Sequence, residues 1–326
     1  MWFLFVKHKH IYCTMGIKLL NTFIKEKCKG KKSIKKISLC ELSRKTIAID
    51  TSIYMYRYKA DKKLMNGMYD MCSLLLEYNI IPLFVFDGKP GEEKKEELKK
   101  RSNQKKSAEK EYNDLKKEIR LDPENDTIKE TMTMLEKKFV RIKQEEVIEV
   151  KELIKGFGIQ CIDAPNEADE ICAFLALKKK VYAVMSEDMD MFAYGCPNII
   201  RYFSILNKHC VLYKMSHILE DLNMNMLDFK KLCVISGTDY NNKSKNKNIF
   251  KYYDKYKAYI KSDYTDLFEY YVDIMRFENI YELNDVLSLY QVNNNNTMID
   301  NIKMKIEPIN LETIKKIMCH YNFIFT

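Results

Sequence analysis

The sequence predicts an α/β fold: a mostly parallel central sheet flanked by helices, with a charged helical excursion projecting from it. Three observations carry this. Four short apolar runs, rich in β-branched and aromatic residues, each stop at an acid. Helical stretches lie between these runs, and residues 92–152 are almost wholly Lys, Glu, Gln, Asn and Asp. Apolar runs without polar alternation suit strands buried on both faces, as a parallel sheet requires. Strand alternating with helix favours parallel pairing through crossovers.

In chain order, residues 17–25 read as a helix, and Thr46-Ile47-Ala48-Ile49 is the first strand, ending at Asp50. Residues 53–78 are helical, and the run 80–86 leads to Asp87. The segment 92–152 has sparse apolar residues and a break at Leu121-Asp122-Pro123. It reads as exposed helices held by i,i+4 charge pairs, too polar to enter a core. Residues 166–177 form the next helix. The run 181–185 leads to Ser186-Glu187-Asp188-Met189-Asp190, residues 215–222 are helical, and the fourth run, 232–238, leads to Asp239. Ligands of open α/β sheets sit beyond the carboxyl ends of the strands. Acids at these ends should therefore converge.

At 326 residues the chain is one large domain or two small ones. A hydrophobic fraction of 46%, with 22 Tyr and 16 Phe, excludes a wholly disordered chain. Mean hydropathy of −0.38 argues against a membrane protein. The formal charge of +9 is uneven: residues 25–45 hold nine Lys/Arg against Glu26 and Glu41, as a solvated loop or a phosphate-binding edge would. Ten cysteines include no CxxC pair and mostly sit in apolar runs, which reads as free thiols in a reducing compartment rather than a secreted chain. The apolar stretch 2–6 is too short for a transmembrane or signal segment. Because Met15-Gly16 looks like a second start, residues 1–14 are expected to be a dispensable extension. The abundance of Lys, Asn, Ile and Tyr, which have AT-rich codons, points to an AT-rich genome, viral or parasitic.

Each acid alone has an ordinary use, capping a helix or complementing its dipole. Together Asp50, Asp87, Glu167, Asp169, Asp188, Asp190 and Asp239 would bring seven carboxylates to one sheet edge. Carboxylates that close cannot all ionise cheaply, so a cation must be shared among them. Hard oxygen donors without His or Cys select Mg²⁺ or Mn²⁺ over zinc. Such a site fits two-metal phosphodiester cleavage.

At these residues a resemblance becomes plain. Met15-Gly16-Ile17-Lys18-Leu19-Leu20, Ala48-Ile49-Asp50-Thr51-Ser52-Ile53-Tyr54, Val85-Phe86-Asp87-Gly88-Lys89-Pro90, Ala164-Pro165-Asn166-Glu167-Ala168-Asp169, Ser186-Glu187-Asp188-Met189-Asp190 and Ser236-Gly237-Thr238-Asp239-Tyr240 resemble, in order, the motifs of the flap endonuclease family. These are structure-specific 5′ nucleases of the XPG/Rad type with a PIN-like fold, and the likeness runs from Met15 to about Tyr321. It implies that the seven acids hold two Mg²⁺ ions, for which Mn²⁺ can substitute. Asp169 stands where the family usually has Glu. It further implies that Lys94 and Arg101 stabilise charge on the scissile phosphate, that Tyr56 stacks on the nucleotide beside the cut, and that Gly16 lies near the active site. The segment 92–152 becomes a helical arch for single-stranded flaps.

The chain also departs from the family. The stretch between Asp50 and Asp87 is short and lacks the acidic loop linked to 3′-flap recognition. After Asp239 the family has a Gly-rich hairpin that binds duplex backbone and potassium. Here residues 241–247 contain no Gly, leaving Lys243, Lys245 and Lys247 as the expected phosphate contacts. No Gln-led, aromatic-ended sliding-clamp motif follows the last helical segment. The expected organisation is an extension (1–14), an N-terminal nuclease region (15–121), an arch (92–152), an internal nuclease region (153–240) and a helical duplex-binding region with a truncated C-terminus (241–326). The expected activity is 5′-flap endonuclease and 5′–3′ exonuclease on branched DNA, in replication, repair or recombination. The chain should act as a monomer, off the membrane, in the nucleus of a cell or at a viral replication site in the cytoplasm. Three other readings compete. A PIN-type ribonuclease would not need the arch, and a DNA-binding scaffold is disfavoured because seven clustered carboxylates repel DNA unless metals are bound. A phosphatase with an aspartyl nucleophile needs a second acid two residues after Asp87, where Lys89 stands.

Overall fold

The computed structural model describes residues 16–30, 32–89, 91–241, 248–275, 280–292 and 304–323. The extension 1–14, Met15, and Lys243, Lys245 and Lys247 lie outside the described residues. The strands are β1 (Ile34–Ser38), β2 (Thr46–Asp50), β3 (Ile81–Phe86), β4 (Gln160–Asp163), β5 (Ala183–Met185), β6 (Asn198–Ser204) and β7 (His209–Lys214). Among the described residues they make one sheet in the order β1-β7-β6-β5-β2-β3-β4. The five strands from β6 to β4 pair in parallel, whereas β7 and β1 are antiparallel additions at one edge.

The helices are α1 (Leu20–Lys27), α2 (Thr51–Ala60), α3 (Leu64–Glu77), α4 (Lys95–Glu118), α5 (Asp126–Lys138), α6 (Gln144–Gly156), α7 (Ala168–Leu177), α8 (Asp190–Tyr194), α9 (Met215–Leu222), α10 (Met226–Ser236), α11 (Ile249–Tyr259), α12 (Leu267–Met275), α13 (Ile280–Leu289) and α14 (Leu311–Cys319). They cover both faces of the sheet, which is why the inner strands lack polar alternation. On one face Ala48, Leu83, Val85 and Val184 pack with α1 and α7 to α13. On the other, Ile47, Ile49, Phe84, Phe86 and Met185 pack with α2, α3, α6 and α14. Each fully buried side chain of this size contributes roughly 1.5–3 kcal/mol. The nine described cysteines are free thiols. Among the described residues no helix is long and apolar enough to cross a membrane.

The sequence reading needs correction in three places. The run 232–238 is not a strand; it is the end of α10 and the turn after it. Asn225 starts this helix by accepting from the Asp228 N–H at 2.8 Å, and Gly237, at φ 95°, stops it. A short run buried on all sides has no period to tell strand from helix, so the caps decide. The stretch 53–78 divides into α2 and α3 at Asp61-Lys62-Lys63, where Lys62 takes φ 58°. Finally, β1, β4, β6 and β7 were not expected. The first carries two lysines in five residues, and β4 is a four-residue edge.

The charged segment forms a helical hairpin. α4 and α5 turn at 119–125, and Asn125 caps α5 by accepting from the Ile128 N–H at 3.1 Å. The pair is held by Tyr112 edge-on to Phe139 at 5.4 Å, by Arg141 on Glu109 at 2.7 Å, and by the Lys105 ammonium donating to the Val140 carbonyl at 3.0 Å. At its base, Lys137 meets Asp61 and Glu136 meets Lys62, at 2.6 and 2.9 Å. Within α4 and α5 only Ala108 and Leu135 are buried.

Candidate active site

Three neighbouring parallel strands deliver the first acids. Asp50 ends β2, Asp87 follows β3, and the loop after β5 carries Asp188 and Asp190. Asp50 is buried and accepts from the Ser186 hydroxyl at 2.9 Å; that hydroxyl in turn accepts from the Asp188 N–H at 3.0 Å. Asp188 accepts from the Asp190 N–H at 2.9 Å. Asp87 accepts from the Ser52 hydroxyl and from the Ala168 N–H, the latter at 2.9 Å, and so caps α7. This joins β3 to the helix that bears Glu167 at its N-cap and Asp169 in its first turn. Asp239 arrives from the turn after α10 rather than from a strand end.

The two expected cations lie among these acids. Lys94 is only 8% exposed, which excludes ordinary solvated charge. Its ammonium pairs with Glu167 and lies 5.3 Å from the centre of the Tyr240 ring. Arg101, nearly two turns on from Lys94, donates Nη2 to Asp239 and Nε to Glu97, the second at 3.2 Å. Tyr56 on α2 is not a core residue: it is 38% exposed, with the Lys105 ammonium 4.8 Å from its ring centre.

Gly16 comes close to the acids. It has φ 73°, and a Cβ there would overlap an oxygen of both Asp188 and Asp190. Gly16→Ala is therefore expected to cost about 1–3 kcal/mol of stability through backbone strain and crowding. Thermal unfolding checks this; an unchanged midpoint would show that the backbone yields freely.

Crowding sets the electrostatics. Asp50 is pushed up to about 8, by burial first and then by the charges of Asp87 and Asp188. Burial first, and then Asp188, raises Asp169, Asp190 and Asp239, with Lys94 opposing in each. Lys94 is raised in turn: burial works against its charge, but Asp169, Glu167 and Asp190 outweigh it. Buried carboxylates this dense need cations to ionise together. Among the described residues, no three acids are drawn together into a ready metal shell. The donor set nevertheless fits hard divalent ions: it is all carboxylate oxygen, and Asp169 Oδ1 and Asp190 Oδ1 are buried with no hydrogen-bond partner among the described residues.

Several supporting residues carry no role in the sequence reading, although Ser52, Ser186 and Tyr240 lie within the quoted motifs. Ser186 and Ser52 hold Asp50 and Asp87, the Tyr240 hydroxyl donates to Glu167 at 3.4 Å, and the Tyr290 hydroxyl donates to Asp190 at 3.0 Å. Glu187, immediately before Asp188, faces the other way. It takes Arg57 at 3.2 Å, Arg201 at 3.5 Å and the Tyr202 N–H at 2.7 Å, anchoring the loop from behind. Only the unusual Ser-Glu-Asp-Met-Asp run hinted at that loop.

Comparison with known proteins defines the class first. The XPG N-terminal domain family model matches residues 15–108 and the XPG I-region model matches residues 158–239. Flap endonuclease 1 of Encephalitozoon cuniculi is 32% identical over 243 residues, 69% of this chain and 68% of that protein. Flap endonuclease 1 of Meyerozyma guilliermondii is 34% identical over 247 residues, 69% of this chain and 63% of that protein. In fold, the chain is similar to the catalytic core of Rad2 in complex with DNA substrate (TM-score 0.63, 20% identity, 94% of each chain). It is likewise similar to flap endonuclease-1 from Methanococcus jannaschii (TM-score 0.60, 21% identity, 90% of this chain and 92% of that one). The chain belongs to the flap endonuclease family of XPG-type nucleases, in which divalent metal use is typical.

Proposed function

We propose that the chain is a Mg²⁺-dependent 5′-flap endonuclease with 5′–3′ exonuclease activity on branched DNA. The observation that carries this reading is the gathering of carboxylates at one sheet edge with Lys94 and Arg101 set among them. Asp50, Asp87, Glu167, Asp169, Asp188, Asp190 and Asp239 are the proposed oxygen donors for two Mg²⁺, or for Mn²⁺ in their place. When bound, such ions activate water and neutralise charge on the scissile phosphate. Lys94 and Arg101 turn from their carboxylate partners to the phosphate oxygens and stabilise charge that grows in the transition state. Tyr56 offers an exposed ring for stacking of the nucleotide beside the cut. Gly16 lets backbone pass where a side chain would displace Asp188 and Asp190.

The α4–α5 hairpin lies within the proposed arch, 92–152, which overlaps the N-terminal nuclease region 15–121 and precedes the internal region 153–240. Residues 241–326, with Lys243, Lys245 and Lys247, are the proposed contact to duplex backbone, which reads shape rather than sequence. The chain acts as a monomer where replicating or damaged DNA lies: the nucleus of a cell, or a viral replication site. A labelled 5′-flap substrate, a blunt duplex and a single-stranded RNA, each with and without Mg²⁺, test the reading. Mg²⁺-dependent cutting near the flap junction is expected. Preference for RNA would instead show a ribonuclease, and binding without cutting a scaffold.

A further inference from the structure

We infer that Tyr290 positions Asp190 for metal binding, so that the C-terminal helices hold part of the metal site in place. This rests on the reading of Asp190 as a metal ligand. Tyr290 follows α13, a hundred residues from Asp190, and is fully buried. Its hydroxyl donates to Asp190 Oδ2 at 3.0 Å. The other oxygen, Oδ1, is buried without a hydrogen-bond partner among the described residues, on the side where Gly16 leaves room. One oxygen is thus pinned and the other is left as a donor. A carboxylate held this way keeps its orientation before an ion arrives, as outer-sphere partners of metal ligands commonly ensure.

Tyr290 is itself fixed on several sides. Its ring packs edge-on against Tyr194 at 5.1 Å and Tyr240 at 5.8 Å, and its carbonyl accepts from the Lys230 ammonium at 3.0 Å. Tyr240 repeats the device, with its own hydroxyl on Glu167. Two tyrosines packed edge-on therefore reach two different acids.

The test is Mn²⁺ binding to the full chain, read by loss of the free-ion paramagnetic resonance signal, without DNA. Tyr290→Phe keeps the ring and removes the hydroxyl. It is expected to weaken Mn²⁺ binding by about 10- to 100-fold, to leave the metal-free unfolding midpoint near that of the parent, and to regain nuclease rate at excess Mn²⁺. Tyr271→Phe is the structural control, because the Tyr271 hydroxyl donates to the Tyr252 carbonyl in the core; it should leave Mn²⁺ affinity unchanged. If Asp190→Asn weakens binding while Tyr290→Phe does not, the inference is overturned and the metal reading stands. If Asp190→Asn leaves Mn²⁺ affinity unchanged, the metal reading of Asp190 fails and the inference falls with it.

Discussion

Replacing Asp188 by alanine is expected to abolish flap cleavage while leaving DNA binding intact. Asp188 is 2% exposed and lies at the centre of the acidic set. It touches the Asp190 backbone directly and the Asp50 side chain through Ser186. Its charge also raises Asp50, Asp169, Asp190 and Asp239, so it is the acid most widely felt in the site. Removing it takes away a proposed ligand shared by the metal site, with a loss in turnover on the order of 10³ or more. Binding should survive, because affinity for nucleic acid comes mainly from phosphate contacts and one fewer carboxylate lessens repulsion. Single-turnover cleavage in Mg²⁺ gives the first quantity, and flap affinity in metal-free buffer gives the second. Asp188→Asn, which retains an acceptor for the Asp190 N–H, separates loss of charge from loss of loop geometry. Near-normal turnover in either variant would sink the metal assignment.

The second large effect concerns the cations of the α4 segment. Lys94→Ala and Arg101→Ala are each expected to slow the chemical step by about 10²–10³ with a smaller change in affinity. The basis is placement: one ammonium and one guanidinium stand among buried acids, each paired with a member of the set. In the proposed role these cations leave their carboxylate partners for the phosphate once substrate is seated. Single-turnover rates at saturating protein decide between roles. If affinity alone falls, both side chains are phosphate clamps. Arg101→Lys sharpens the test, since a lysine lacks the fork that contacts Glu97 and Asp239 together.

Much of this architecture was legible in the sequence because buried parallel strands leave a plain signal. The apolar runs of β2, β3 and β5 are continuous, and a site acid ends β2, directly follows β3 and lies just beyond β5. The helical hairpin was legible from polarity and from Pro123. Other parts carried no local signal. β6 and β7 mix polar and apolar residues in a way that neither period describes, and α10 imitated a strand until its caps were seen. The seven acids could be named, but their arrangement depended on hydroxyls from Ser52, Ser186, Tyr240 and Tyr290. Hydrogen bonds between residues that far apart in sequence follow from the fold, not from spacing.

Among the described residues the outer strands of the sheet, β1 and β4, are paired on one side only, which bears on how the chain behaves in a crowded solution. An uncovered strand offers a row of unpaired amides and carbonyls to any neighbouring chain, and proteins blunt such rows with lysine or by keeping the strand very short. Both devices are present. β1 sets exposed Lys35 and Lys36 side by side, and β4 has four residues, none buried. Two copies meeting along β1 would bring the exposed Lys36 side chains together before their backbones could pair, whereas Lys35 is paired with Glu41 at 2.6 Å.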